Sequence, residues 1–94
     1  MFKDLDPLLH SQLRLAIISI LIRDEEAEFV QLKEETQATA GNLSIQINKL
    51  KEAGYLAVEK KFKGNYPQTI CRITEKGIQK FQVYVDTLKK YINP

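Results

Sequence analysis

The spacing of apolar residues changes twice along this chain, and the two changes bound its architecture. Up to Gly54 the apolar positions recur every three or four residues; from Tyr55 to Thr74 they follow the short period of strands; beyond Thr74 the helical spacing returns. Side chains at i, i+3 and i+4 share a helix face, and those at i and i+2 share a strand face. The order is therefore helices, one hairpin, then one more helix. Ninety-four residues suit a single domain, taken here as 1–94. With 44% hydrophobic and 28% charged residues, the chain has the make-up of a globule that buries a modest core.

Asp6-Pro7 opens a first helix over about 6–23, since Asp caps well and Pro suits the first helical position. Leu8, Leu9, Leu13, Ala16, Ile17, Ile20 and Leu21 form its buried stripe. Leu15, Ile18 and Ile22 fall outside the stripe and widen the apolar surface for another element or a second subunit. Asp24-Glu25-Glu26 reads as a solvated loop. A short helix, Phe29–Thr36, turns inward with Val30 and Leu32, and a small polar turn follows. Thr39 then caps a helix running to Ala53, with a narrow inner stripe of Leu43, Ile47 and Leu50 and a stop at Gly54. Helix, turn and helix together occupy about 29–53.

Two strands, Tyr55–Phe62 and Gln68–Thr74, enclose the turn-forming stretch Lys63-Gly64-Asn65-Tyr66-Pro67, giving a hairpin over about 55–74. Thr74 caps a last helix over about 75–92, in which Ile78, Phe81, Val85, Leu88 and Ile92 form a seam flanked by Tyr84 and Tyr91. Ile78 and Phe81 are expected to close the domain's own core. Val85, Leu88, Tyr91 and Ile92 extend past a small globule and call for a partner, predicted to be a second copy of the chain.

Much chemistry is excluded by composition. Cys71 and His10 are the only residues of their kinds, so disulfides, cysteine-cluster zinc sites and paired-histidine chemistry are out, and no metal or cofactor is expected. Cys71, beside Ile70 and Ile73 in a strand, suits a structural thiol. Glu25, Glu26, Glu34 and Glu35 lie close together but have no partner base and no glycine-rich cradle, so an enzyme is not expected. The longest apolar run, Leu15–Ile22, is broken by Ser19 and too short for a membrane span. The N-terminus is too acidic for a secretory signal, so a cytoplasmic protein without membrane contact is expected. Charge is uneven: residues 1–36 carry a net −4 and residues 37–94 a net +6. A basic half beside an acidic half is a footprint of nucleic-acid binding.

A short helix, a tight turn and a helix with a polar outer face form a helix-turn-helix, and the basic hairpin makes it winged. The fold class is thus mainly α with a two-stranded β-wing and an extended C-terminal dimerisation helix. Here the chain resembles the compact winged-helix transcriptional regulators related to the MarR and ArsR groups. The likeness rests on Leu8–Ile17, Thr39–Leu50, Glu52-Ala53-Gly54-Tyr55-Leu56 and Thr69–Gly77, read together. A basic or aromatic residue is frequent in the family where this chain has Gln46, so base preference does not carry over.

The resemblance implies a sequence-specific regulator that binds double-stranded DNA as a homodimer. With Leu43, Ile47 and Leu50 inward, the expected recognition residues are Thr39, Gly41, Asn42, Ser44, Ile45, Gln46 and Lys49. Gln46 suits an adenine edge, Lys49 guanine or phosphate, and Ile45 a thymine methyl. The expected wing contacts are Lys60, Lys61, Lys63, Asn65 and Tyr66, with Arg72 either bracing the wing or binding phosphate. The expected dimer interface joins Leu15, Ile18 and Ile22 to Val85, Leu88, Tyr91 and Ile92. The alternative is a winged helix used as a protein–protein module without DNA binding.

Overall fold

The computed structural model describes residues 2–94, in the order α1 (Gln12–Asp24), β1 (Glu26–Glu28), α2 (Phe29–Thr36), α3 (Ala40–Glu52), β2 (Leu56–Lys63), β3 (Tyr66–Ile73) and α4 (Glu75–Ile92). It is the winged helix-turn-helix that the spacing predicts, with one added strand. Leu9, Ile17, Ile18, Leu21, Leu32, Leu43, Leu50, Leu56 and Cys71 are fully buried and knit α1, α2, α3 and the sheet into one core. No described helix is long and apolar enough to cross a membrane.

The added strand is β1, which lies where a solvated loop was expected. The sheet order is β1-β3-β2, all antiparallel, with Ala27 opposite Cys71 and Val58 opposite Cys71 on the other side. Alternation puts Ala27 into the core between two exposed glutamates.

The first helix also starts later than expected. Residues 6–10 form a separate turn, in which the Asp6 carboxylate accepts the Leu8 amide at 2.9 Å and the Asp6 carbonyl accepts the His10 amide at 2.8 Å. Ser11 is extended, with φ −151° and ψ 129°, so the helix cannot run through it. Arg14 Nε donates to the Leu8 carbonyl at 2.6 Å and gives that carbonyl a partner outside any helix. Leu9 is nevertheless fully buried, which is why the apolar spacing looked continuous.

The leading segment is clipped to the rest of the fold. His10 Nδ1 lies 3.0 Å from the Tyr84 hydroxyl, and Tyr91 donates to the Lys3 carbonyl. The Tyr55 hydroxyl donates to the Asp6 carboxylate at 2.5 Å. Burial of the ring, helped by the Asp6 charge, pushes the Tyr55 phenol up from 10.0 to about 12. A phenol whose folded pKa is raised stabilises the fold below its ordinary pKa and loses that contribution as pH climbs through the folded value. The wild type is therefore expected to lose stability between pH 10 and about 12 through this group. Tyr55→Phe is expected to cost about 1.5–3 kcal/mol at neutral pH, as for a hydrogen bond to a charged group, and to lack that alkaline step. Urea unfolding of both proteins across this range checks it.

On α4 the inward residues differ from those expected. Tyr84 is buried, Phe81 and Leu88 pack partly against the core, and Ile78 is 40% exposed. Tyr84 can turn inward because His10 meets its hydroxyl. Gly77, in the first turn of α4, is buried against the backbone of Tyr55.

Candidate nucleic-acid interface

The helix α3 begins where Thr39 Oγ1 accepts the Asn42 amide at 3.2 Å. Before it, Gln37 adopts a left-handed φ of 60°, which ends α2 and turns the chain. Leu43, Ile47 and Leu50 are buried as expected. Ile45 lies on the opposite side and is 55% exposed, which settles its direction outward. Thr39, Gly41, Asn42, Ser44 and Lys49 are exposed too, and Gln46 is half-buried on the flank nearer α1. A Cβ added at Gly41 would meet no atom within 4 Å, so the first turn of α3 is bare on that side.

The wing lysines do not act as one group. In the β2–β3 register Lys60 faces Thr69, Lys61 faces Gln68 and Lys63 faces Tyr66. Strand alternation places Lys60 on the same face as Val58 and Leu56, toward α3, and Lys61 and Lys63 on the other face. Lys60 lines a cleft of about 310 Å³ with Ser44, Ile47, Asn48, Val58 and Thr69. Lys61 instead lies 3.7 Å from Glu59. Gly64 makes the tip with a φ of 63°, a conformation that glycine adopts without strain. Asn65 sits beside it, with Phe62 and Tyr66 largely exposed.

Arg72 braces the wing. From the central strand its Nε reaches Glu26 of β1 at 3.2 Å, and its Nη1 bonds Glu59 of β2. The guanidinium holds the Glu59 carboxyl below the usual range. Arg23 is tied in the same way to Asp24 at 2.8 Å and Glu35 at 2.9 Å. Exposed pairs of this kind add little stability, but they occupy charges. Among the described residues Lys49, Lys60 and Lys63 form no ion pair, so the outer side of α3 and both faces of the wing keep positive charge. Burial pushes the Cys71 thiol up to about 11, in keeping with a structural role.

The residues expected at a dimer interface separate. Ile22 and Val85 meet in a groove of about 300 Å³ with Ile78, Phe81, Gln82, Asp86 and Lys89. Ile92 is exposed at the end of α4. Leu15 and Leu88 lean on their own core, and Phe2 stacks beside Tyr91 at 5.0 Å between ring centres. Ile18 is fully buried within its own chain, because the α1 core stripe is wider than the spacing suggested, so it cannot face a partner.

Reading the sequence missed Asn48, Thr69, Phe62 and Arg14. Thr69 lies opposite Lys60 because the hairpin turns tightly at Gly64-Asn65, whereas the five-residue turn expected over 63–67 would have set Ile70 there. Arg14 carried no signal, because its partner Gln46 is 32 residues away.

Residues 13–92 match the family described as Winged helix DNA-binding domain. An uncharacterized protein of Methanocaldococcus jannaschii is 36% identical over 76 residues, which is 81% of this chain and 83% of that protein. A transcriptional regulator homologue from Pyrococcus horikoshii OT3 superposes with a TM-score of 0.86 at 28% identity, covering 92% of this chain and 85% of that one. The transcriptional regulator BldR from Sulfolobus solfataricus shares the fold, with a TM-score of 0.74 at 23% identity over 88% of this chain and 58% of its own. With the family matched over nearly the whole fold, and the exposed helix and basic hairpin in the places such a fold requires, the chain belongs to the winged-helix DNA-binding domain family.

Proposed function

We propose that the protein is a homodimeric, sequence-specific regulator of transcription, with α3 in the major groove of double-stranded DNA and the wing on the flanking backbone. The observation that carries this reading is the exposed outer face of α3 with Lys49 on it and Lys60 beside it in the cleft between helix and wing, neither held in an ion pair among the described residues. Gly41 opens the start of the helix to a phosphate, where backbone amides and the helix dipole favour negative charge. Ile45 offers an apolar contact suited to a thymine methyl. The cleft of Ser44, Asn48, Lys60 and Thr69 has the donors for a phosphate oxygen between helix and wing. Lys61 and Arg72, held by carboxylates, shape the wing and do not lead the contact.

One domain offers few contacts, and a two-fold pair doubles them while reading half-sites about one helical turn apart. The α4 groove favours such a pair. Its apolar floor of Ile22, Ile78, Phe81 and Val85 is edged by Asp86 and Lys89, which a two-fold axis can set against each other.

Fluorescence anisotropy on a short random-sequence duplex tests the reading. With roughly six phosphate contacts per dimer, affinity is expected to fall about a thousandfold between 50 and 200 mM salt. Lys49→Ala combined with Lys63→Ala is expected to weaken binding and to flatten the salt slope by about one per lost contact. A folded protein that binds no duplex at low salt would overturn the proposal and assign this surface to a protein partner.

A further inference from the structure

Two amide side chains at the start of α3 are wired to a guanidinium, and the wiring fixes what they can offer a base. Arg14 Nη1 donates to Gln46 Oε1 at 2.6 Å, while Arg14 Nε is held by the Leu8 carbonyl at 2.6 Å. Gln46 Nε2 donates in turn to Asn42 Oδ1 at 3.0 Å. Amide groups can be placed either way round, and the hydrogen-bond network decides. Here the network has one answer. A guanidinium only donates, so the Gln46 atom facing Arg14 is the oxygen. Its nitrogen therefore faces Asn42, and the Asn42 atom that meets it is the oxygen. The Asn42 Nδ2 is left as the outer end of the relay, on an exposed residue in the first turn of α3.

We infer that Arg14 sets the base preference of this helix by locking Asn42 as a donor, so that the Asn42–Gln46 pair selects guanine and not adenine. The inference rests on the DNA-binding reading above. Guanine presents two neighbouring acceptors, N7 and O6, in the major groove. Adenine presents an acceptor beside a donor, and its paired recognition by an amide needs the amide oxygen as well as the nitrogen. In this relay each amide oxygen already accepts one bond from a neighbouring side chain, which turns Asn42 Oδ1 back toward Gln46 and leaves Nδ2 as the atom offered outward. Gln46, whose residue type alone suits an adenine edge, is thus a spacer between Arg14 and Asn42. Arg14 touches no base and acts as a positioning residue.

Selection from a random-sequence duplex library with the wild type and three variants tests this. Asn42→Ala identifies the position that Asn42 reads, as the one whose preference disappears. At that position the wild type is expected to favour guanine over adenine by about tenfold. Arg14→Met frees both amides to rotate and is expected to reduce the ratio to about threefold or less. Gln46→Glu keeps Arg14 in place but presents only acceptors, so Asn42 must turn its nitrogen inward and its oxygen outward. Preference is then expected to pass to adenine or cytosine, whose exocyclic amines donate. The added charge lowers overall affinity, but only the relay reverses the base. Melting curves of each variant exclude loss of fold as the cause. A wild-type motif with adenine at the Asn42 position, or guanine retained in both Arg14→Met and Gln46→Glu, overturns the inference and leaves the DNA-binding reading intact. A wild type that retains no duplex overturns both.

Discussion

Gly77→Ala is expected to lower stability by at least about 3 kcal/mol, at the upper end of what overpacking a tight site costs. A Cβ at Gly77 would stand 2.1 Å from the Tyr55 carbonyl oxygen, 2.8 Å from Ile73 Cδ1 and 3.0 Å from the Tyr55 carbonyl carbon. The Ile73 methyl can move, but the Tyr55 carbonyl cannot move alone. It accepts the Thr74 amide, and Thr74 in turn caps α4 through the Gly77 amide at 3.0 Å and donates to the Gly54 carbonyl at 2.6 Å. Making room means lifting the first turn of α4 off the base of the wing. For a domain of this size 3 kcal/mol corresponds to a fall of about 12 °C or more in Tm. A Tm within about 3 °C of the wild type would contradict the account. Gly41→Ala is the natural contrast. Its methyl meets nothing in the free protein, so α3 gains about 0.5–1 kcal/mol of helix propensity while DNA affinity declines.

Val85→Glu is expected to give a monomer that binds a two-half-site duplex at least about a hundredfold more weakly, because a linked second site adds that much avidity or more. Val85 is half-buried in the α4 groove and is not among the residues packed on the core, so the domain itself should keep its stability. In the proposed homodimer the new carboxylate would be shut into an apolar groove beside Asp86. Lys89 lines the same groove, but even a paired carboxylate costs several kcal/mol to desolvate in an apolar interface, enough to separate a small one. Sedimentation should then report the 10.8 kDa of one chain. A variant that still sediments as a dimer would move the interface elsewhere. A wild type that is itself monomeric at micromolar concentration would remove the homodimer altogether.

Elements with their own caps were legible in the sequence. Thr39 and Thr74 start α3 and α4, Gly54 follows the end of α3, and Gly64 makes the hairpin tip, each through local chemistry. Features that depend on distant partners were not. β1 exists because Glu26 pairs with Arg72, and three residues carry no period of their own. The start of α1 depends on Arg14 capturing the Leu8 carbonyl, and the turn before it on Tyr55 capturing Asp6. Tyr84 displaced Ile78 from the core side of α4 because His10 satisfies its hydroxyl. At the interface, residue types announced donors and charge. Which amide end faces outward, and which lysine is already spoken for, emerged only from contacts between α1 and α3 and across the sheet.

The strand order β1-β3-β2 leaves β2 as an open edge eight residues long, with Phe62 exposed in it and Tyr66 across the turn. Such an edge is a template for pairing with another chain, and lysines on it are a common safeguard against aggregation. Lys60, Lys61 and Lys63 thus guard this edge against other copies, and in the proposed reading Lys60 and Lys63 also draw the protein to a polyanion. Neutralising them weakens both at once. Reversing their sign removes only the attraction and keeps the repulsion between copies. A lineage drifting away from DNA would therefore be steered toward an acidic wing and not a bland one.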